Sequence, residues 1–362
     1  MKHLVLLGAG HAHLHVLHDM ATLALPATRV TLVAPATQFI YSAMVPGLVA
    51  GHYELHDCAI ALAPLAAKSK TIFIDSAATA IDVAARTVTL ADGQALHYDA
   101  LSIDTGPVID RDAIAGAREH ALFVRPMEVF VQLWSRLLDL AQTRSLSVAV
   151  VGAGAGGVEI AMALQHRLGD RARVSLVTGG PPPLASHPPS AQMRVMRALK
   201  RRGITVLQDS CMEINATQMR LGSGARLACD APIVAIGAGA PTWLRDSGLA
   251  LDEQGFISTG ATLQSVSHAE VFAAGDVASR VDAPRPKSGV YAVRAGPPLA
   301  LNLRRFTGGG ELQPHVPQLR SLNILACGNR YAIAVWGEWS VEGHWVWWWK
   351  NRIDRAFVRQ YR

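Results

Sequence analysis

Three glycine turns, each at the end of an apolar strand, constrain this chain more than anything else in it. The first closes HLVLLGAGHAH with Gly8 and Gly10. The second closes LSVAVVGAGAGGVE with Gly152, Gly154 and Gly157. A late EVFAAGDVA ends on a Gly-Asp pair at Asp276. In a strand–turn–helix unit the first glycine makes the tight turn, the second lets the backbone approach a pyrophosphate, and the third lets helix and strand pack together. The helix that follows aims its unpaired N–H groups and positive dipole end at the phosphates. The second turn fits in full, with Ala155 and Gly156 leading into a helix at Val158. The first fits less well. His13 stands where the third glycine belongs, which requires a wider helix–strand contact or a polar role for the imidazole. One such turn is a weak signal. Two, far apart and closed by a Gly-Asp, imply two dinucleotides in one chain and an electron relay from a nicotinamide to a flavin.

The 362 residues suffice for two or three domains, and with half of them hydrophobic and 17% charged they can build a large core. The net charge of +6 favours anionic partners such as nucleotides or lipid head groups. Nucleic acid is set aside, because no helix-turn-helix, finger or RNA-binding signature is present. Cys58, Cys211, Cys229 and Cys327 are scattered without a CxxC pair. They read as reduced, buried thiols, which supply no nearby dithiol and suit a cytoplasmic compartment. The apolar run from Leu4 to Leu7 is too short for a secretory signal, and no uncharged stretch of about 18 apolar residues offers a spanning helix.

Along the chain, residues 3–7, 11–25 and 29–34 read as a βαβ unit. Residues 71–90 alternate like strands with a turn at Asp92-Gly93, predicting a small antiparallel sheet over the first unit. A strand from Leu101 ends in Thr105-Gly106, and an amphipathic helix starts at Pro126, a favoured first helical position. Strand 147–151, a helix to about residue 168, strand 173–178, a basic helix over 190–202, strand 204–207, a hairpin near 218–229 and a run from Pro232 to Ile236 form the second unit. IGAGAP at 236–241 reads as the crossing back to the first. After the Gly-rich 307–310 come strands near 320–326 and 331–336 and a Trp-rich basic tail.

These motifs together resemble the two-dinucleotide flavoprotein oxidoreductases, the pyridine nucleotide-disulfide oxidoreductase superfamily. YSAMVPGLVAGHY at 41–53 and PKSGVYAVRAGPPLALNL at 286–303 resemble the flavin-side loop and flavin-facing helix of type II NADH dehydrogenases and sulfide:quinone oxidoreductases. GHAHLHVL with the tail WWWKNRIDRAFVRQY is similar to a branch found alone or fused ahead of selenophosphate synthetase. The resemblance implies an α/β fold of two Rossmann-like domains, the NAD(P)H domain nested in the FAD domain, plus a small C-terminal α+β region. The implied boundaries are 1–112 and 238–307 for FAD, 113–237 for NAD(P)H, and 308–362 for the C-terminal region.

The resemblance also implies roles by position. Gly8, Gly10, His11, Ala12 and the first helix hold the FAD pyrophosphate, with Pro35, Met44, Ala78, Thr105, Gly106, Asp276, Val277, Lys287 and Gly289 also on FAD. Ala78 offers its backbone to the adenine, Asp276 bonds the ribityl chain, and the helix from Lys287 or Gly289 aims at the flavin. Gly152, Gly154, Ala155, Gly156, Gly157, Glu159, Thr178 and Gly237 hold NADH or NADPH. Lys287 and Tyr41 are the candidate catalytic residues on the flavin side. The implied reaction passes hydride from nicotinamide to FAD and electrons on to a quinone or another small acceptor. The alternative is a non-turnover flavoprotein, a redox sensor or electron-delivery partner linked to selenium metabolism.

Three departures matter. No acid ends either second strand, where Ala34-Pro35 and Thr178 stand instead of the ribose-binding carboxylate. Arg194, Arg197 and Lys200 are placed either to meet a 2′-phosphate or to be solvated helix cations, so NADH and NADPH both stay open. No cysteine stands where a persulfide relay needs one. His11, His15 and His18 share a helix face, yet no Cys or acid completes a metal set; they read as a polar cover near the phosphates, with no metal. In the tail, Trp345, Trp349, Ile353, Ala356 and Phe357 form one helical stripe, and residues 345–362 carry five Lys or Arg against one Asp. That pattern suits peripheral contact with the inner face of a membrane, a homodimer contact, or a helix docked on its own core.

Overall fold

A computed structural model describes all 362 residues. The chain opens with β1 (Lys2–Leu7), α1 (His11–Thr22), β2 (Thr28–Ala34), β3 (Ile72–Asp75) and β4 (Ala100–Ile103). It continues with β5 (Leu122–Phe123), α2 (Met127–Thr143), β6 (Leu146–Val151), α3 (Ala155–Leu168), β7 (Ala172–Val177), α4 (Pro189–Arg201), β8 (Thr205–Leu207) and β9 (Ala231–Val234). Then come β10 (Val271–Ala273) and α5 (Gly289–Gly308). The C-terminal region is β11 (Leu322–Ala326), β12 (Ala332–Trp336), β13 (Trp339–Gly343) and α6 (His344–Gln360).

Two five-stranded parallel sheets result. The first has the order β10-β4-β1-β2-β3, the second β5-β9-β6-β7-β8. The central strands β1, β4, β6 and β9 are buried almost throughout, which is why they read as unbroken apolar runs rather than alternating ones. β10 returns to the first sheet after the second is complete, so the second unit is nested in the first. The two crossings run side by side, with Val108 and Gly239 forming an antiparallel bridge.

Three sequence expectations change. Ile72–Asp75 joins the parallel sheet beside β2, and only Ala78–Asp82, Thr87–Leu90 and Ala95–His97 form the antiparallel sheet. Leu62–Lys68 is a helix that serves as the crossover, so the strand after it enters parallel. α1 stops at Thr22, short of 25, where the chain turns through Pro26 into β2. The C-terminal sheet has a third strand, Trp339–Gly343, antiparallel to β12.

The apolar core is shared. One cluster runs from Leu4 and Leu14 through Val150 and Ile160 to Ile333, Trp347 and Phe357, so the C-terminal region packs on both units. α1 and α5 cross closely at Gly296, where a Cβ would stand 2.6 Å from that of His15.

Candidate active site: a cavity between two glycine turns

The two turns are built differently. At the second, Gly152 has φ +108° and Gly157 lies against it, so that a Cβ on Gly157 would stand 1.9 Å from the Gly152 carbonyl oxygen. Gly154 and Gly156 border open space, and a Cβ there would meet nothing within 4 Å. No side chain caps the start of α3, so its first-turn N–H groups face that space. Open N–H groups of this kind can seat an anion such as a pyrophosphate. Thr178 adds an orphan: its Oγ1 is buried without a partner at the end of β7, where a ribose hydroxyl is expected.

At the first turn the close neighbour is a side chain. Asp104, directly after β4, accepts from the Ala12 N–H at 2.8 Å and the His13 N–H at 3.1 Å, and a Cβ on Gly10 would fall 2.3 Å from its carboxyl. Burial pushes this carboxyl up to about 7, with Asp276 adding to the rise and the two amides opposing it. His13 takes the polar role. It is fully buried, with Nδ1 2.5 Å from the Gly8 carbonyl and Nε2 2.8 Å from Ser102 Oγ. Burial holds its pKa down to about 4, so the imidazole is neutral and links turn to strand. His11 opens α1 with a half-buried ring 5.0 Å from Phe39 and 5.8 Å from Tyr41. Gly289, at the start of α5, lies beside it, and Gly106 borders open space.

Between the turns lies a cavity of about 950 Å³. Ala155, Gly156, Glu159 and the crossing Ala235–Ala238 form one wall; Asp276, Lys287, Ser288 and Gly289 form another. Tyr41 and Phe357, Gln318 and Arg320 with β11, and Lys350 and Asp354 of α6 complete it. At its rim stand Trp336 and Ile353, both exposed. No cysteine lines it; Cys58, Cys229 and Cys327 are buried elsewhere and Cys211 is half-buried.

The charged groups on these walls are tuned by burial. Glu159 Oε1 accepts from the Ala326 N–H at 2.7 Å, leaving Oε2 free. Burial raises its pKa to about 7, with Lys350 and the amide pulling down and Asp354 pushing up. Lys350 and Asp354 form a buried i,i+4 pair at 2.7 Å, and the ammonium also donates to the Ala43 carbonyl at 2.8 Å. Burial raises Asp276 as well, countered by Arg125 and Lys287. Lys287 turns its ammonium to the Ala278 carbonyl, at 2.5 Å, and lies over the Phe256 ring. Tyr41 stacks on Phe357 with ring centres 4.2 Å apart.

The cavity gathers His11, Tyr41, Ala155, Gly156, Glu159, Gly237, Asp276, Lys287 and Gly289 from the residues expected by sequence. Met44 is absent from its walls, being fully buried in the core beside Val45 and Val49. Pro35, Ala78, Thr105, Gly106, Thr178 and Val277 lie at strand ends or beside the sheets rather than on the cavity wall. Arg194 and Arg197 do not stand free for a 2′-phosphate. Both bind Glu342, at 2.9 and 3.1 Å, and Arg194 also donates to Ser340 Oγ. Phe357 leaves the exposed stripe of α6 and turns inward onto Tyr41. Sequence reasoning missed Asp104, Arg125, Lys350 and Asp75. The last ends β3 in register with Ala34, beside the place where the ribose carboxylate was missing. No helix is long and apolar enough to cross a membrane.

The residues therefore fit FAD and a nicotinamide dinucleotide, and comparison with known proteins agrees. Residues 2–296 match the pyridine nucleotide-disulphide oxidoreductase family. The chain is 28% identical over 264 residues to the demethylphylloquinone reductase NdbB of Synechocystis sp., an overlap covering 70% of this chain and 65% of that protein. The sulfide:quinone oxidoreductase of Aquifex aeolicus superposes with a TM-score of 0.85 at 20% identity, covering 100% of this chain and 92% of that one. NDH2 of Plasmodium falciparum in complex with NADH gives 0.83 at 14%, covering 99% and 97%. The chain belongs to the pyridine nucleotide-disulphide oxidoreductase family, oxidoreductases that use FAD and NAD(P)H.

Proposed function

We propose that this protein oxidises NADH or NADPH and reduces a quinone-type acceptor, both within the central cavity. The observation that carries this reading is the cavity's span: it runs from the open second glycine turn, past Asp276 and Gly289, to a rim of exposed Trp336 and Ile353. FAD, when bound, supplies the two-electron centre between reductant and acceptor. The chain supplies position and protons. Gly154, Ala155 and Gly156 seat the dinucleotide phosphates, Thr178 Oγ1 meets a ribose hydroxyl, and Asp75 replaces the missing acid for the FAD ribose. Asp276 holds the ribityl hydroxyls. Glu159 Oε2 delivers a proton to the reduced acceptor, because its carboxyl titrates near neutrality and the Lys350 ammonium beside it stabilises the anion left behind. The absence of cysteine from the walls favours a quinone-like acceptor over a disulfide. The exposed face of α6, with Trp345, Trp348, Trp349 and Ile353 beside Arg352, lies at a membrane interface and receives the acceptor from the bilayer.

The test is anaerobic rapid mixing of the FAD-loaded protein with NADH and NADPH, followed by a panel of quinones, disulfides and oxygen. Fast bleaching of the flavin and reoxidation by quinone are expected. Slow bleaching by both nucleotides would favour the non-turnover alternative.

A further inference from the structure

A second cleft, of about 510 Å³, lies where the C-terminal ends of α3 and α4 meet the loop between β11 and β12, and it shares no wall residue with the central cavity. Gln165, His166 and Asp170 face Arg201 and Arg202 across it, with Asn329, Tyr331 and His344 closing the third side. Tyr331 orders two side chains: the Arg201 guanidinium carbon is 5.7 Å from its ring centre, and the His344 ring meets it edge-on at 5.3 Å.

Arg202 is the telling residue. It is half-buried and pairs with no carboxylate, donating instead to the Ala198 carbonyl, at 3.1 Å, and to Asn329 Oδ1. Its neighbour Arg201 comes only to 4.0 Å from Glu342, which is already held by Arg194 and Arg197. A guanidinium withdrawn from water without a counter-charge is costly. Asp170 is the one acid on the walls, against two guanidinium groups and two imidazoles. Burial, then His52, Arg202, Arg167 and Arg330, all hold the His166 imidazole below its ordinary pKa, so like charges crowd this spot. The helix-end carbonyls that would repel an anion are partly covered, because the Gln165 amide donates to those of Gly169 and Ala172, and Arg202 to that of Ala198.

We propose that this cleft binds a phosphate group, carried by a small solute or by a phospholipid headgroup, with Arg201 and Arg202 as counter-charges and His344 Nε2 accepting a phosphate hydroxyl, since its Nδ1 already donates to the Arg330 carbonyl at 2.8 Å. The site stands apart from the central cavity and does not depend on its chemistry.

The experiment uses the full chain with FAD bound and saturated with NAD⁺, so that phosphate finds no seat at the second glycine turn. Inorganic phosphate and AMP are titrated by calorimetry, and sedimentation is measured with phosphatidylcholine vesicles with and without phosphatidic acid. The double variant Arg201→Gln/His344→Gln alters two exposed side chains, and Arg136→Gln on α2 is the control. On the order of tenfold weakening is expected in the double variant and none in the control. Weaker phosphate or AMP binding assigns the group to a solute. Weaker binding to acidic vesicles alone assigns it to a headgroup. Either supports the site. No saturable binding of any probe, or binding indifferent to Arg201 and His344, overturns it. Binding to neutral vesicles, which reports the α6 face, should be the same in all three proteins.

Discussion

Gly154 and Gly157 are three positions apart, and a methyl group would meet opposite fates at them. Gly154→Val points into open space, so the variant should fold, stay yellow, and show a KM for NADH raised by on the order of tenfold or more, with kcat much less changed. Gly157→Ala drives a Cβ into the Gly152 carbonyl and should unfold the second unit, visible by circular dichroism. Glu159→Gln should remove a pH dependence: acceptor reduction in the parent falls as pH rises through about 7, where the carboxyl loses its proton, and the variant should be slow and flat. Asp104 and His13 oppose each other in stability. The raised Asp104 carboxyl contributes stability that is present below its unfolded pKa and lost as pH rises through about 7. The lowered His13 contributes stability that is lost as pH falls from 6.5 towards about 4. Denaturant titrations across that window should therefore tilt in opposite senses, with Asp104→Asn gaining stability on raising the pH relative to the parent and His13→Gln losing it. The glycines were legible because their chemistry is local. Asp104 was not, because its role comes from β4 pairing with β1, which sets the residue after β4 against the start of α1, and nothing in IDTG distinguishes that carboxylate from a strand end facing water.

At the scale of elements, α6 shows what periodicity tells and withholds. A helical stripe was visible in the tail, but the inward face was not, because Trp, Lys and Arg all carry long apolar bodies with polar tips. The helix buries Trp347, Lys350, Asp354 and Phe357 and leaves Trp345, Trp348 and Trp349 outside. A buried pair of this kind is costly to break singly. Asp354→Ala should destabilise the protein by about 3–5 kcal/mol, while Lys350→Met/Asp354→Leu should cost much less; thermal unfolding with bound FAD measures both. β3 was misread for a related reason. Alternation along Ile72–Asp75 is the same whether the neighbour runs parallel or antiparallel, and only the preceding helix decides.

At the scale of the molecule, the nesting of one sheet unit inside the other was readable from the order of the turns, since the late Gly-Asp had to return to the first sheet. The lashing of the C-terminal region was not readable. Arg194 and Arg197 looked like free helix cations, and their partner Glu342 lies on a strand that had no clear sequence signal. Because both are occupied, Arg194→Ala/Arg197→Ala should leave the ratio of kcat/KM for NADPH and NADH unchanged while lowering the melting temperature. A shift in that ratio towards NADH would return these cations to the nucleotide. The same region grips the other unit, through Tyr53 to Asn351 at 2.8 Å, Arg355 to Asp57 at 3.0 Å and Phe357 against Tyr41. A splint fastened to both lobes forbids a jaw-like swing between them. On the proposed function, nicotinamide and acceptor then meet in a frame that stays still, and turnover should be set by passage in and out of the cavity rather than by hinge opening.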